Sequence, residues 1–178
     1  MMPQGLPCYP MHVSYVAKSP IWGGTALAER FGKHAEAPTI GETWELTVRD
    51  DEMSVILDGE CAGMTLGEYI EKSGGAAVGQ AHGRFPLLIK FIDAKQNLSV
   101  QVHPSDDYAL KYENSYGKTE CWYIVDATDG AGIYCGFNRD TNEKEFLGYL
   151  NSGKVEELLN FIPVKKGECY FIASGTVH

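Results

Sequence analysis

Positive charge is scarce in this sequence. Fifteen Lys and Arg stand against 24 Asp and Glu, giving a net charge of −9 and a pI near 5.0. A surface this acidic excludes nonspecific nucleic-acid binding and attraction to an anionic membrane. It leaves room for a small phosphorylated ligand, because a few buried cations can hold one phosphate. Long apolar runs are also missing. The longest, Phe85 to Ile92, is interrupted by Lys90 and is far short of the ~20 residues that span a bilayer. Cysteine is sparse and unpatterned: five residues, at 8, 61, 121, 135 and 169, with no CxxC. That excludes a disulfide framework and is read as mostly buried thiols in a reducing compartment. Met1 to Pro7 has neither the basic region nor the apolar core of a signal peptide, so a cytoplasmic location is expected. There is no internal repeat, low-complexity tract or linker.

What is present fits one soluble domain. The chain has 178 residues, 44% of them AVILMFWYC, enough to bury a core. Twenty glycines and eight prolines favour turns between short strands over a helical bundle. Ile40 to Val48 and Ser54 to Leu57 read as strands. Thr65-Leu66-Gly67-Glu68 is a capping-box pattern for a short helix that Gly74-Gly75 ends. Phe85 to Asp93 reads as a buried strand, and Leu98 to His103 as an alternating one stopped by Pro104. Ser105-Asp106-Asp107 caps a helix running to about Asn114. Glu120 to Asp126 and Gly132 to Gly136 read as a strand pair joined through Asp129-Gly130. Thr141 to Leu150 and Lys154 to Phe161 have helical spacing, and Gly167 to Ala173 is a final strand. The expected fold is mainly β: a jelly-roll β-sandwich or barrel with a helical insertion at about 138–163.

Chemistry concentrates in a few stretches. Along Leu98 to His103, alternation places Ser99, Gln101 and His103 on one face. An amide oxygen and an imidazole there can meet water or ligate a metal. Along Gly117 to Tyr123, Lys118, Glu120 and Trp122 share a face. A carboxylate on an adjacent strand could complete a mixed nitrogen and oxygen site, or could form a simple surface ion pair. In Gly167-Glu168-Cys169-Tyr170-Phe171-Ile172-Ala173-Ser174-Gly175-Thr176-Val177-His178, an aromatic strand between glycine turns leads to a histidine. This resembles the second motif of the cupin superfamily, with Ala173 in place of its usual proline.

Taken in order, Ile21-Trp22-Gly23-Gly24, Ile40 to Leu46, Phe85 to Phe91, Leu98 to Pro104, Gly117 to Glu120 and Gly167 to His178 closely resemble type I phosphomannose isomerases of the shorter bacterial form. The resemblance implies a cupin-type metal-binding catalytic domain over residues 1–178. It implies one Zn²⁺ per chain, held by Gln101, His103, Glu120 and His178, with other divalent ions possible. It implies that Ser99, Lys90 and Lys118 line a phosphosugar pocket, and that Lys90 and Lys118 are the catalytic candidates. Strand parity agrees for Lys90, which sits in a run too apolar for a surface strand and needs an anionic partner.

The implied reaction interconverts mannose 6-phosphate and fructose 6-phosphate through a metal-stabilised enediolate. Its general base stays open among Lys118, Glu120 and metal-bound hydroxide. Family members continue well beyond His178, into the rest of this barrel, a second β domain and a catalytic arginine. The 178 residues are therefore expected to be a fragment that binds zinc weakly, turns over poorly and associates through an open edge strand. Two alternatives remain: a non-catalytic sugar-phosphate- or metal-binding cupin module, and a cupin metal oxygenase. The partner expected is a small phosphosugar, with no nucleic acid and no membrane, and oligomeric state is left open. His12, His34 and His82 fall in loops without a partner pattern. Trp22 and Trp44 read as core more readily than as a substrate platform, Glu42 and Glu45 carry no assigned role, and Cys121 reads as buried packing.

Overall fold

The computed structural model describes residues 6–49, 52–79 and 85–178. His82 lies outside them. The chain divides into two compact units, Met1–Leu98 and Ser99–His178. Strands outnumber helices in both, and no closed barrel is formed among the described residues; the strands make one three-stranded and three two-stranded sheets.

In the first unit, β1 (Val16–Lys18), β2 (Glu42–Leu46) and β5 (Ile89–Ile92) form an antiparallel sheet in the order β1-β2-β5. β3 (Val48–Arg49) pairs with β4 (Glu52–Met53). Helix α1 (Ala26–Phe31) follows the Trp22-Gly23-Gly24 turn. Glycine is required there by close approach: a Cβ on Gly23 would lie 2.6 Å from the backbone nitrogen of Gly41. The turn is then tied down by bridges from Gly24 to Ile40 and from Gly23 to Ala94. Helix α2 (Leu66–Lys72) carries the expected capping box. The Thr65 hydroxyl accepts from Glu68 N, and the Glu68 carboxylate accepts from Thr65 N. Its Tyr69 packs with Ile56 and Cys61 into the buried core of this unit, ringed by Tyr9, Met11, Val13 and Met64.

The second unit holds α3 (Asp106–Tyr112), β6 (Glu120–Tyr123), β7 (Gly132–Phe137), α4 (Glu143–Asn151), β8 (Leu159–Pro163) and β9 (Cys169–Ile172). β6 pairs with β9 and β7 with β8, all antiparallel. Ala109, Ile133, Leu158, Leu159 and Ile172 are buried.

Several sequence expectations need correction. β6 and β7 do not form a hairpin, since the stretch from Ile124 to Ala131 is too long for the tight turn that Asp129-Gly130 implied. Lys154 to Phe161 is not a helix but one 3₁₀ turn, Val155–Leu158, running into β8; Pro163 and the preceding Phe-Ile pair favour extended backbone. Ser54 to Leu57 makes only isolated bridges, Val13 to Ile56 and Val55 to Thr65. Phe85 to Asp93 narrows to β5, and Ile89 and Ile92 are 50% and 40% exposed rather than buried. Leu98 to His103 forms no ladder, although Gln101 and His178 exchange a reciprocal pair of backbone hydrogen bonds at 2.7 and 2.9 Å. The cysteines are not mostly buried: Cys61 is, but Cys8, Cys121 and Cys169 are exposed and Cys135 is intermediate.

Candidate metal centre

Local geometry in the second unit converges three polar side chains. His103 follows the irregular extended stretch and precedes Pro104. Gly117 packs against the start of α3 so tightly that a Cβ would lie 2.4 Å from the carbonyl carbon of Ser105. There Gly117 N donates to the Asp106 carboxylate at 2.8 Å, and Lys118 N donates to the Pro104 carbonyl at 3.1 Å. A larger residue at 117 would push β6 away from His103. On β6, Glu120 and Trp122 are half-buried while Cys121 and Tyr123 are exposed, so the carboxylate takes the inward face that alternation predicts.

His178 arrives through β9 and a turn at Gly175, whose φ of 86° suits glycine. Gly175 N donates to the His103 carbonyl at 2.7 Å, and Gln101 and His178 are then paired through their backbones. The His178 ring is 2% exposed. Its Nδ1 lies 2.9 Å from the Thr176 carbonyl. A carbonyl can only accept, so Nδ1 carries a proton and, in the neutral ring, Nε2 presents a bare lone pair. Trp122 packs edge-on against this ring at 5.6 Å.

That nitrogen faces a carboxylate oxygen. His178 Nε2 lies 2.9 Å from Glu120 Oε2, yet both atoms are buried without a hydrogen-bond partner. His103 Nε2 is 3.5 Å from the same carboxylate oxygen. One ligand atom each from His103, Glu120 and His178 falls within a 4.8 Å cluster. Unsatisfied buried acceptors facing one another are costly, and a cation between them removes that cost. Two imidazoles and a carboxylate are the donor set that a borderline divalent ion takes. The residues present therefore fit a metal.

Lys118 occupies the edge of this cluster, its Nζ 2.7 Å from Glu120 Oε1 and 3.1 Å from His103 Nε2. Burial by itself raises the Glu120 carboxyl. The hydrogen bond and charge of Lys118, helped by His103 and His178, outweigh burial and hold it below the ordinary carboxylate range.

The other predicted residues are placed less tightly. Gln101 is joined to His178 by backbone, and its side-chain amide donates a long 3.5 Å hydrogen bond to the Ser99 carbonyl. Ser99 is exposed at the start of this unit. Lys90 belongs to the first unit, where Glu42 accepts from its Nζ at 3.0 Å and from Trp44 Nε1 at 2.7 Å. The anionic partner that Lys90 requires is thus supplied by the chain itself. Glu45, also unassigned from sequence, accepts from Lys33 and Thr43. His12 does have a partner, with Nδ1 2.6 Å from the Asp58 carboxylate. The contribution of Trp122 and the Thr176 carbonyl to orienting His178 was not read from sequence. The only hint is that Trp122 shares the face of Glu120.

The family model for the catalytic domain of type I phosphomannose isomerase matches residues 11–131. This chain belongs to the type I phosphomannose isomerase family. The mannose-6-phosphate isomerase ManA of Bacillus subtilis is 44% identical over 95% of the chain. The mannose-6-phosphate isomerase of Streptococcus mutans is 39% identical over 89%. This phosphomannose isomerase family chain spans 53% and 50% of those relatives, about half their length. A solved mannose 6-phosphate isomerase from Bacillus subtilis superposes with a TM-score of 0.88 at 39% identity, over 95% of this chain and 54% of its own. A mannosephosphate isomerase-like structure from Archaeoglobus fulgidus, at 24% identity and a TM-score of 0.80, shares the fold. The mainly β, cupin-like fold expected from the sequence is that of these neighbours.

Proposed function

We propose that the protein to which this chain belongs interconverts mannose 6-phosphate and fructose 6-phosphate in the cytoplasm, with the metal centre of the second unit at its heart. The observation that carries this reading is the convergence of His103, Glu120 and His178, with orphaned acceptor atoms, in a chain of this family. The ion proposed is Zn²⁺, one per chain, with Gln101 turning its amide oxygen inward as a fourth ligand. The bound ion would supply a Lewis acid for the oxygens of the substrate's enediolate.

The chain's own residues do the rest. His178, locked by the Thr176 carbonyl and Trp122, offers Nε2 without rotational loss. Glu120 is held ionised by Lys118, so it is ready to act as an anionic ligand. Lys118, beside the cluster and 35% exposed along its side chain, can reach an anionic sugar oxygen and move a proton at its Nζ. Ser99 and Lys90 are proposed as further binders of the phosphosugar. Lys90 would give up its bond to Glu42 in doing so.

The test is a coupled isomerase assay on the full-length protein and on the 178-residue chain, with and without chelator. Chelator-sensitive turnover by the full-length protein is expected, with less turnover and weaker zinc binding by the shorter chain. Gln101→Ala, His103→Ala and Glu120→Ala should each lower zinc content and activity together, whereas Lys90→Ala should raise KM with zinc content unchanged. Zinc content surviving all three ligand changes would overturn the site. Because the chain spans half of its relatives, a non-catalytic sugar-phosphate module is the second reading; it predicts mannose 6-phosphate binding without turnover in the full-length protein.

A further inference from the structure

The face of the β6–β9 pair opposite the metal centre carries two thiols in contact. In the antiparallel register Cys121 lies opposite Phe171, and Tyr123 opposite Cys169. Cys121 and Cys169 are therefore diagonal neighbours on the same outward face. Right-handed strand twist shortens one diagonal of such a pair. Here the two sulfurs lie 3.2 Å apart. Both residues are exposed, so a solute can reach either one. A disulfide needs a separation of about 2.05 Å, little more than an ångström closer.

We infer that Cys121 and Cys169 form an oxidisable dithiol, a reversible modification site that staples β6 to β9. The inference is independent of the isomerase reading, since it needs only the strand register and the two sulfurs. The oxidant is a small-molecule disulfide. One cysteine sulfur attacks it, giving a mixed disulfide and releasing one small thiol. The second cysteine sulfur displaces the other small thiol and closes the Cys121–Cys169 bond. The two cysteines lose two electrons and two protons in all, and the small disulfide is reduced to two thiols. Reaction with excess small thiol runs the steps backwards. The staple would join the strand that carries Glu120 to the strand that leads to His178, from the face away from both. The contact singles out this pair among the five cysteines: Cys61 is buried, and exposed Cys8 lies in the other unit.

The experiment equilibrates the 178-residue chain with glutathione disulfide and glutathione, traps free thiols with a maleimide, and maps peptides by mass spectrometry. The expected result is loss of two reactive thiols together, recovery of one cross-linked peptide pair containing Cys121 and Cys169, and full reversal by excess glutathione. Cys121→Ser and Cys169→Ser should each leave a stable glutathione adduct on the remaining partner, with no cross-link. Independent glutathione adducts on both residues of the unsubstituted chain would overturn the inference, as would a cross-link from either residue to Cys8 or Cys135. Trapping both residues as free thiols when Cys8 is already modified would overturn it as well.

Discussion

Two lysine–glutamate clusters, one in each unit, use similar residues to opposite effect. In the first unit, Lys90 and Trp44 both donate to one oxygen of Glu42, and Lys90 and Lys18 lie 5.8 and 4.9 Å from the Trp44 ring. Donors there meet an acceptor, and charge meets opposite charge. In the second unit, Lys118 satisfies Glu120 Oε1, but Oε2 faces His178 Nε2 at 2.9 Å and neither buried atom has a hydrogen-bond partner. The first cluster is complete as it stands, whereas the second leaves two buried atoms without a hydrogen-bond partner and fits a cation. An ion pair near a family motif is therefore not by itself a metal site. The sign of the local donor–acceptor balance separates the two.

The sharpest way to break that contrast is at Glu120. Glu120→Ala should weaken zinc binding by at least ~100-fold, because a ligand and not merely its support is lost; competition with a chromogenic chelator measures it. Its counterpart, Glu42→Ala, should leave zinc affinity unchanged. It should instead cost about 1–3 kcal/mol of stability by stranding a half-buried ammonium, read from urea unfolding. A similar zinc loss in both variants would erase the distinction.

A core change tests whether the units answer separately. Ile56 is fully buried in the first unit, and Ile56→Ala should cost about 2–5 kcal/mol in urea unfolding with zinc affinity retained. Lys118→Met probes the electrostatics of the second cluster. With the ammonium gone, only His103 and His178 oppose burial, and the Glu120 carboxyl should titrate upward, visible by ¹³C NMR of the carboxylate. In the unsubstituted chain the folded value is depressed. The stabilisation from this carboxylate is therefore full above the ordinary carboxylate range and is lost as pH falls through the lower folded value. The smallest effect is expected at the α2 capping box, where Thr65→Ala should cost about 1 kcal/mol. The Glu68 carboxyl, held low chiefly by the Thr65 backbone N–H and then by its hydroxyl, should rise by the share due to the hydroxyl.

Legibility followed the range of the interactions. The capping box at Thr65–Glu68 was readable because every partner lies within one turn of helix. The inward face of Glu120 and Trp122 was readable from period-two alternation. The partner of β6 was not, because nothing local distinguishes Gly132–Phe137 from Cys169–Ile172 as its neighbour. Lys90 was read correctly as needing an anion, but the nearest anion, Glu42, is remote in sequence and adjacent only through the β2–β5 register. Cys121 was placed on the correct face and given the wrong environment, because that face of the strand pair is exposed.

The sequence by itself determined the family and the mainly β character and nominated the residues of the candidate metal centre, since ordered motifs, glycine turns and alternation are written along the chain. Only the tertiary structure decided that His178 points its Nε2 at Glu120, that Lys118 borders the cluster while Lys90 pairs with Glu42, and that Cys121 touches Cys169. The Lys90–Glu42 and Cys121–Cys169 pairs depend on strands distant in sequence lying side by side in one register, and His178 depends on the turn after β9 that pairs its backbone with Gln101.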